Sequence, residues 1–297
     1  MNTETERELN ALKKRAAMCT ILTIAFFVLT ILVGAATHGP VTVVCVAGIV
    51  ICGIAASRTS KKYAAYYKEH VVSGMTLDDC DFLENVTFEP DRGISEEEVY
   101  ALRIISGDTY SSNDLITATY KGVGFRQSDV YIGDITTDSD GDRHETTVFQ
   151  GRWLVFDFNK SFDWNLQVIS KGFTSAQRRG GILSFRQQRT ERVKLENEEF
   201  NKRFRVFAED EHEAFYILTP HVMEALLGLR ESLNAPIMLF FTGGILHVAV
   251  YNNQDAFEGK LFGKLNMEEE KQKVLADIRL ITDFVDELAL ERDIYKY

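Results

Sequence analysis

Acidic and imidazole side chains crowd into AEDEHEAFY (Ala208–Tyr216), where Glu209, Asp210 and His212 have the types needed for general acid–base work or metal ligation. Spacing decides what that chemistry could be. A zinc site of the His-Glu-x-x-His kind needs a second histidine four residues after His212, and Tyr216 stands there. No other histidine sits at ligand spacing on the same element, so Glu209, Asp210 and Glu211 read as the solvated end of a strand leading to a helix. An enzyme of unrecognised type with a pocket around Glu209, Asp210 and His212 stays open as the rival reading.

A second candidate is TTDSDGDRHE (Thr136–Glu145), in which Asp138, Asp140 and Asp142 alternate as calcium ligands do. A calcium loop starting at Asp138 needs Gly at its sixth position and Glu at its twelfth; Arg143 and Phe149 occupy them. Asp-Gly between two β-rich runs is instead the tip of a hairpin. The third candidate is cationic. Lys171, Arg178, Arg179, Arg186, Arg189, Arg192 and Lys194 fall in one segment that holds a single acid, Glu191. Such a segment is either a solvated loop or the docking site of an anionic partner.

Beyond these, catalytic signatures are missing. There is no GxSxG, P-loop or kinase motif, and Gly122 and Gly124 are followed by strand residues rather than by a helix start, so they cannot cradle a dinucleotide. Cys19, Cys45, Cys52 and Cys80 show no metal-ligand spacing and suggest no disulfide framework. The reading therefore assigns no catalytic residue, no cofactor and no metal, and it leans away from an enzyme without closing the question.

The elements that must position these residues begin in the membrane. Met18–Ala36 is a run of 19 residues without a charge, and after Thr37–Pro40 a second uncharged run extends from Val41 to Ala56. At about 1.5 Å per residue each approaches the roughly 30 Å of a bilayer's hydrocarbon core, so the expectation is a two-helix transmembrane hairpin. Arg7, Lys13, Lys14 and Arg15 precede it, Arg58, Lys61, Lys62 and Lys68 follow it, and the short loop has no cation. Both termini are expected in the cytoplasm, with the protein multi-pass in the cell membrane. No ionisable residue interrupts either run, so the hairpin reads as an anchor and not as a transport path.

The expected organisation is a cytoplasmic segment (1–17), the hairpin (18–56), a juxtamembrane helix and connector (57–92) and a cytosolic domain (93–297). Ser95 with Glu98 caps a helix, Thr219-Pro220 starts another, and Asn266 with Glu269 starts a last one running to about Tyr295. Asp114–Phe125, Ser128–Thr137, His144–Asn159, Asp163–Ser170 and Arg203–Asp210 read as strands, the fourth pairing with the third. Pro236–Asn253 reads as a hairpin turning at Gly243-Gly244. Sequential strands with short turns give an α+β class with a mostly antiparallel sheet packed by helices.

FQGRWLVFDFNKSF (Phe149–Phe162), followed by VKLENEEFNKRFRVFAEDEHEAFYILTPHVMEALLGLRE (Val193–Glu231), resembles a bacterial family of two-pass membrane proteins. That family is known as the domain of unknown function number thirty-one thirty-seven. YSSNDLITATYKGVGFRQSDV (Tyr110–Val130) is similar to its upstream part, so the resemblance runs from about Gly93 to Asn253. It implies no activity and no catalytic residues. Phe200, Phe204, Val206 and Phe207 read as packing residues of a domain wall. A net charge of -11 argues against nucleic acid as partner. The expectation is a membrane-anchored interaction domain that binds a protein partner or anionic lipid headgroups, with homo-oligomerisation left open.

Overall fold

The computed structural model describes residues 3–34, 40–74, 80–157, 165–174, 191–288 and 290. The chain divides into two compact units, Met1–Asp79 with Phe257–Leu275, and Cys80–Ala256 with Ala276–Tyr297.

The first unit is built on α1 (Thr3–Gly34) and α2 (Pro40–Tyr67), the latter passing into a π-helical turn at Lys68–Val72. The two helices run antiparallel. Tyr66 donates to Glu8 near one end (2.6 Å), and near the other Gly48 lies so close to Phe26 that a Cβ there would come within 2.8 Å of the ring. Within the apolar run, the hydroxyls of Thr20, Thr23 and Thr30 each donate to the carbonyl four residues back. No hydroxyl in that series faces an apolar medium unpaired. Burial changes along the pair. Leu9, Ala16, Tyr63, Tyr67, Val71 and Val72 are buried, whereas large apolar side chains from Met18 to Leu32 and from Val43 to Ile54 stand exposed. The buried ends meet the segment Phe257–Leu275. Tyr67 donates to Glu270 (2.6 Å), Tyr63 to the Lys260 carbonyl (3.2 Å), and Lys68 pairs with Glu258 (3.0 Å).

The second unit contains β1 (Glu84–Glu89), α3 (Glu96–Ala101), β2 (Thr109–Tyr120), β3 (Val123–Thr137), β4 (Arg143–Asp157) and β5 (Leu166–Ser170). It continues with β6 (Glu191–Val193), α4 (Glu198–Arg203), β7 (Phe204–Ala208), α5 (Glu211–Ile217), α6 (Pro220–Leu233), β8 (Ile237–Thr242) and β9 (Ile245–Tyr251). The last helix, α7 (Met267–Glu287), begins in the first unit and ends in the second. Among the described residues the strands form one nine-stranded sheet in the order β1-β2-β3-β4-β9-β8-β5-β7-β6. Every described pairing is antiparallel, so the α+β class stands.

Local chemistry explains the turns. Lys121-Gly122 and Gly243-Gly244 both take positive φ, as two-residue hairpin turns require, and they join β2 to β3 and β8 to β9. Asp138 ties the β3–β4 tip by accepting from the amides of Asp140 (3.0 Å) and Asp142 (2.9 Å), which is the turn expected of that acidic run. Ser95 accepts from the Glu98 amide (3.2 Å) and Thr219 from Val222 (3.4 Å), so both caps form. Helix α3 stops at Ala101, and Glu98 reaches to Arg126 rather than back to its own cap. Helix α7 ends at Glu287, short of the expected Tyr295; residues 291–297 lie outside the described ones.

One pairing differs from expectation. The strand Asp163–Ser170 does not pair with β4. Instead β4 lies between β3 and β9, and β5 lies between β8 and β7. Adjacency in sequence suggested the pairing, but both edges of β4 are already taken. The long Asp-Gly hairpin holds one edge over Gly124–Thr137, and Gly151–Asp157 pairs with Tyr251–Ile245 at the other.

Alternation then sorts side chains to two faces. One carries Phe125, Leu154, Phe156, Val248 and Leu239, with Phe284 of α7 against Phe156 (6.4 Å between ring centres). The other carries Trp153, Val155, Ala249, Met238 and Phe240, joined in one core with Val99, Leu102 and Ile104 from α3 and the loop after it. Gly151 fixes the β4–β9 register, because a Cβ there would stand 2.1 Å from the Val250 carbonyl oxygen. Backbone cannot yield as a side chain can. Gly151→Ala is therefore expected to cost more than about 2 kcal/mol, whereas Gly124→Ala, where a Cβ meets nothing within 4 Å, is expected to change stability by less than about 0.5 kcal/mol. Denaturant unfolding of the full chain in detergent micelles measures both.

Candidate functional site

Helix α5 begins where the acidic cluster sits. Asp210 is its N-cap and accepts from the His212 amide (2.8 Å), while Glu209 accepts from the Asn165 side chain (2.8 Å). Glu209, Asp210 and His212 are all exposed, and neither described cleft is lined by them. Their geometry is that of a helix start. Among the described residues no group of three or more His, Cys, Asp or Glu side chains could hold a metal ion.

The cationic segment is described at its two ends. Lys171, Arg192 and Lys194 are exposed, while Arg178, Arg179, Arg186 and Arg189 lie outside the described residues. Arg192 and Lys194 line a cleft of about 420 Å³ with Arg205, Val193, Phe204 and Asn201. Arg205 on β7 was not singled out by the sequence reading, because it belongs to a different run. Its signal was the β6–β7 register, which pairs Arg192 with Phe207 and Val193 with Val206 and so points Lys194 toward Arg205. A second cleft, of about 300 Å³, is lined by Thr117, Thr119, Phe125, Arg126 and Asp157 among others. Its Arg126 is held by both oxygens of Glu98 (2.7 and 2.9 Å).

Sequence reasoning also missed a buried polar group beneath the sheet. Asp129 on β3 lies directly opposite Arg152 on β4, and both are buried, 2% and 7% exposed. The Arg152 guanidinium donates to the Asp277 carboxylate and to its backbone carbonyl (3.3 Å), which ties the second half of α7 to the strand. Asp129 accepts instead from the Ala256 amide. Asp114 completes the group from a bulge in β2, at φ 60°, accepting from the Asn113 side chain (2.7 Å). Burial pushes the Asp129 carboxyl up to about 8; Arg152 opposes this and Asp114 adds to it. A readable signal existed, since Arg152 interrupts the apolar run GRWLVFD and Asp277 falls on the apolar stripe between Val274 and Ile281.

On the opposite face, Trp153 Nε1 donates to His247 Nδ1 (3.3 Å), which puts the imidazole proton on Nε2. Burial pulls His247 down to about 4, with Glu98 working against that and Arg126 with it. Neither Asp129, Asp114 nor His247 lines a described cleft, so these shifted groups bear on stability.

Two outcomes follow from these buried charges. Asp277→Ala leaves a guanidinium buried without its carboxylate and is expected to cost about 3–5 kcal/mol, whereas the apolar pair Arg152→Met with Asp277→Leu recovers most of it. Unfolding of the single and double variants checks this. The second outcome is a pH dependence. Asp129 binds its proton in the folded state up to about pH 8 but loses it near 4 when unfolded, so stability falls as pH rises between those values. His247 has the opposite slope between about 4 and 6.5, because only the unfolded state takes up its proton there. The two offset one another below pH 6.5, leaving a decline on the order of 1 kcal/mol from there to about pH 8. Melting temperatures across this range should fall in the native chain and stay level in Asp129→Asn.

No curated protein and no solved structure matches the chain. A family match covers residues 147–290. It begins within β4, later than the resemblance seen upstream at Tyr110–Val130, and it extends past Asn253 to take in α7. Those residues match the model of the family described as Protein of unknown function (DUF3137).

Proposed function

We propose that the protein is a membrane-anchored interaction module, held in a bilayer by α1 and α2 and presenting its sheet-bearing unit to an anionic partner. One observation carries the anchoring. Ile31, Leu32, Val43 and Ile51 are 58%, 65%, 70% and 68% exposed, within two continuous rows of apolar side chains. Water does not tolerate such a surface on a soluble monomer, and lipid chains would cover it. Both helices are long and apolar enough to cross a membrane. Close approach at Gly48 supports the same reading, since small residues let membrane helices pack.

The cations at both flanks and their absence from the loop support cytoplasmic termini. A reporter fused after Tyr297 should then be active only on the cytoplasmic side, and the native chain should stay in the membrane fraction through alkaline carbonate. Phe27→Arg, at a side chain 56% exposed, places a charge in the middle of the first span at a cost of about 3 kcal/mol and should release a measurable share of the chain. Extraction of the native chain by carbonate, or reporter activity outside the cytoplasm, would overturn the anchoring or its orientation respectively.

A further inference from the structure

The cleft at the outer edge of the sheet has the features of a ligand site. Arg192 and Lys194 are two residues apart, and Arg205 comes from the neighbouring strand, so alternation and register set all three on one face. Among the described residues no carboxylate forms a salt bridge with any of them. On α4, Glu199 is already shared by Lys202 (3.6 Å) and Arg203 (3.2 Å). Three cations without a salt bridge among the described residues converge in a chain whose net charge is -11. Mutual repulsion makes that arrangement unfavourable unless an anion joins it.

The cleft is also held in shape. Asn201 donates to the Leu195 carbonyl (2.6 Å) and accepts from the Leu195 amide (3.3 Å), which pins the chain just after Lys194. Phe204, 1% exposed, stacks on Phe200 with 4.6 Å between ring centres, and with buried Val193 it packs on the opposite face of the strand pair from the three cations, which holds the β6–β7 edge in place from behind. Two guanidinium forks and one ammonium offer more donors than a single carboxylate can accept, but they suit the oxygens of a phosphate. A volume of about 420 Å³ lies in the range of small-ligand pockets.

We propose that Arg192, Lys194 and Arg205 form a binding site for a phosphate group. The proposal deepens the anchored-module reading, which bears only on whether the phosphate belongs to a lipid headgroup or to a free small molecule. The full chain in neutral detergent micelles is titrated calorimetrically with pyrophosphate, and separately with micelles doped with phosphatidic acid. Either probe should bind, and binding should weaken as salt rises. Arg192→Gln with Lys194→Gln and Arg205→Gln should weaken it about 100-fold, about fivefold for each cation removed. Arg143→Gln with Arg103→Gln, two exposed cations that do not line the cleft, should leave it unchanged.

Pyrophosphate binding in undoped micelles identifies a free phosphate as ligand; response to the doped micelles alone identifies a headgroup. If the triple variant loses its circular dichroism signal, Lys194→Glu alone, outside the strands, should still abolish binding. Failure of both probes, or equal binding by native and triple-variant chains, would overturn the site. The carbonate and reporter outcomes are independent of all these titrations, so a failed anchor and a failed cleft give different results.

Discussion

A guanidinium buried under a β-sheet must find a carboxylate, and that requirement organises the second unit. Arg152 projects from β4 on the face where Leu154, Phe156, Val248 and Leu239 are all apolar, so the strand supplies it no counter-charge of its own. Asp277 answers from α7, which fixes the azimuth of that helix and puts Phe284 against Phe156. Asp129, facing Arg152 across the β3–β4 ladder, is left with a guanidinium already engaged elsewhere. Burial keeps its carboxyl protonated near neutrality against the opposing pull of Arg152, and it takes the Ala256 amide as donor, which closes the chain after β9 onto the sheet. The buried group thus ties a helix and a loop to the same face of the sheet.

The first unit obeys a different constraint. Hydrogen-bonded side chains lie at the buried ends of its helices, and exposed apolar ones fill the spans between, the reverse of a soluble hairpin. Tyr63, Tyr67 and Lys68 find Lys260, Glu270 and Glu258, while from Met18 onward α1 turns only hydrocarbon outward. The change falls between Ala16 and Met18 on α1 and between Ile54 and Tyr63 on α2. That is where the uncharged runs begin and end in the sequence, because the same physics selects both. A side chain without hydrogen-bonding groups can face lipid, and one with them needs a partner.

The same division explains what could be read from the chain. Patterns that are local in sequence were legible: the two apolar runs, the caps at Ser95 and Thr219, the Asp-Gly and Gly-Gly hairpins, and the turn at Asp138. Features that depend on distant partners were not. Strand β5 was assigned to its neighbour β4 because nothing in DWNLQVIS names β7 and β8 as partners. Strand β1 was missed because ENVTFE is short and polar at one end, and its pairing with β2 carries a register shift. Arg152 and Asp277 are 125 positions apart, and neither residue's surroundings in sequence name the other as its partner. The acidic cluster at Glu209, Asp210 and His212 drew attention by composition, yet its geometry is that of a cap.

Charge in the sheet-bearing unit therefore takes two forms that composition cannot distinguish. Arg152 is dry and matched, and its role ends inside the fold. Arg192, Lys194 and Arg205 are gathered in one cleft where the three residues of β6 pair with β7, and among the described residues none of them is in a salt bridge. A short edge strand bearing cations is already protected against pairing with other sheets. Solubility would be served equally well by cations spread along the edge and paired with the chain's surplus of acids. Convergence on one cleft is the part that edge protection leaves unexplained, and it is the part that an anion accounts for.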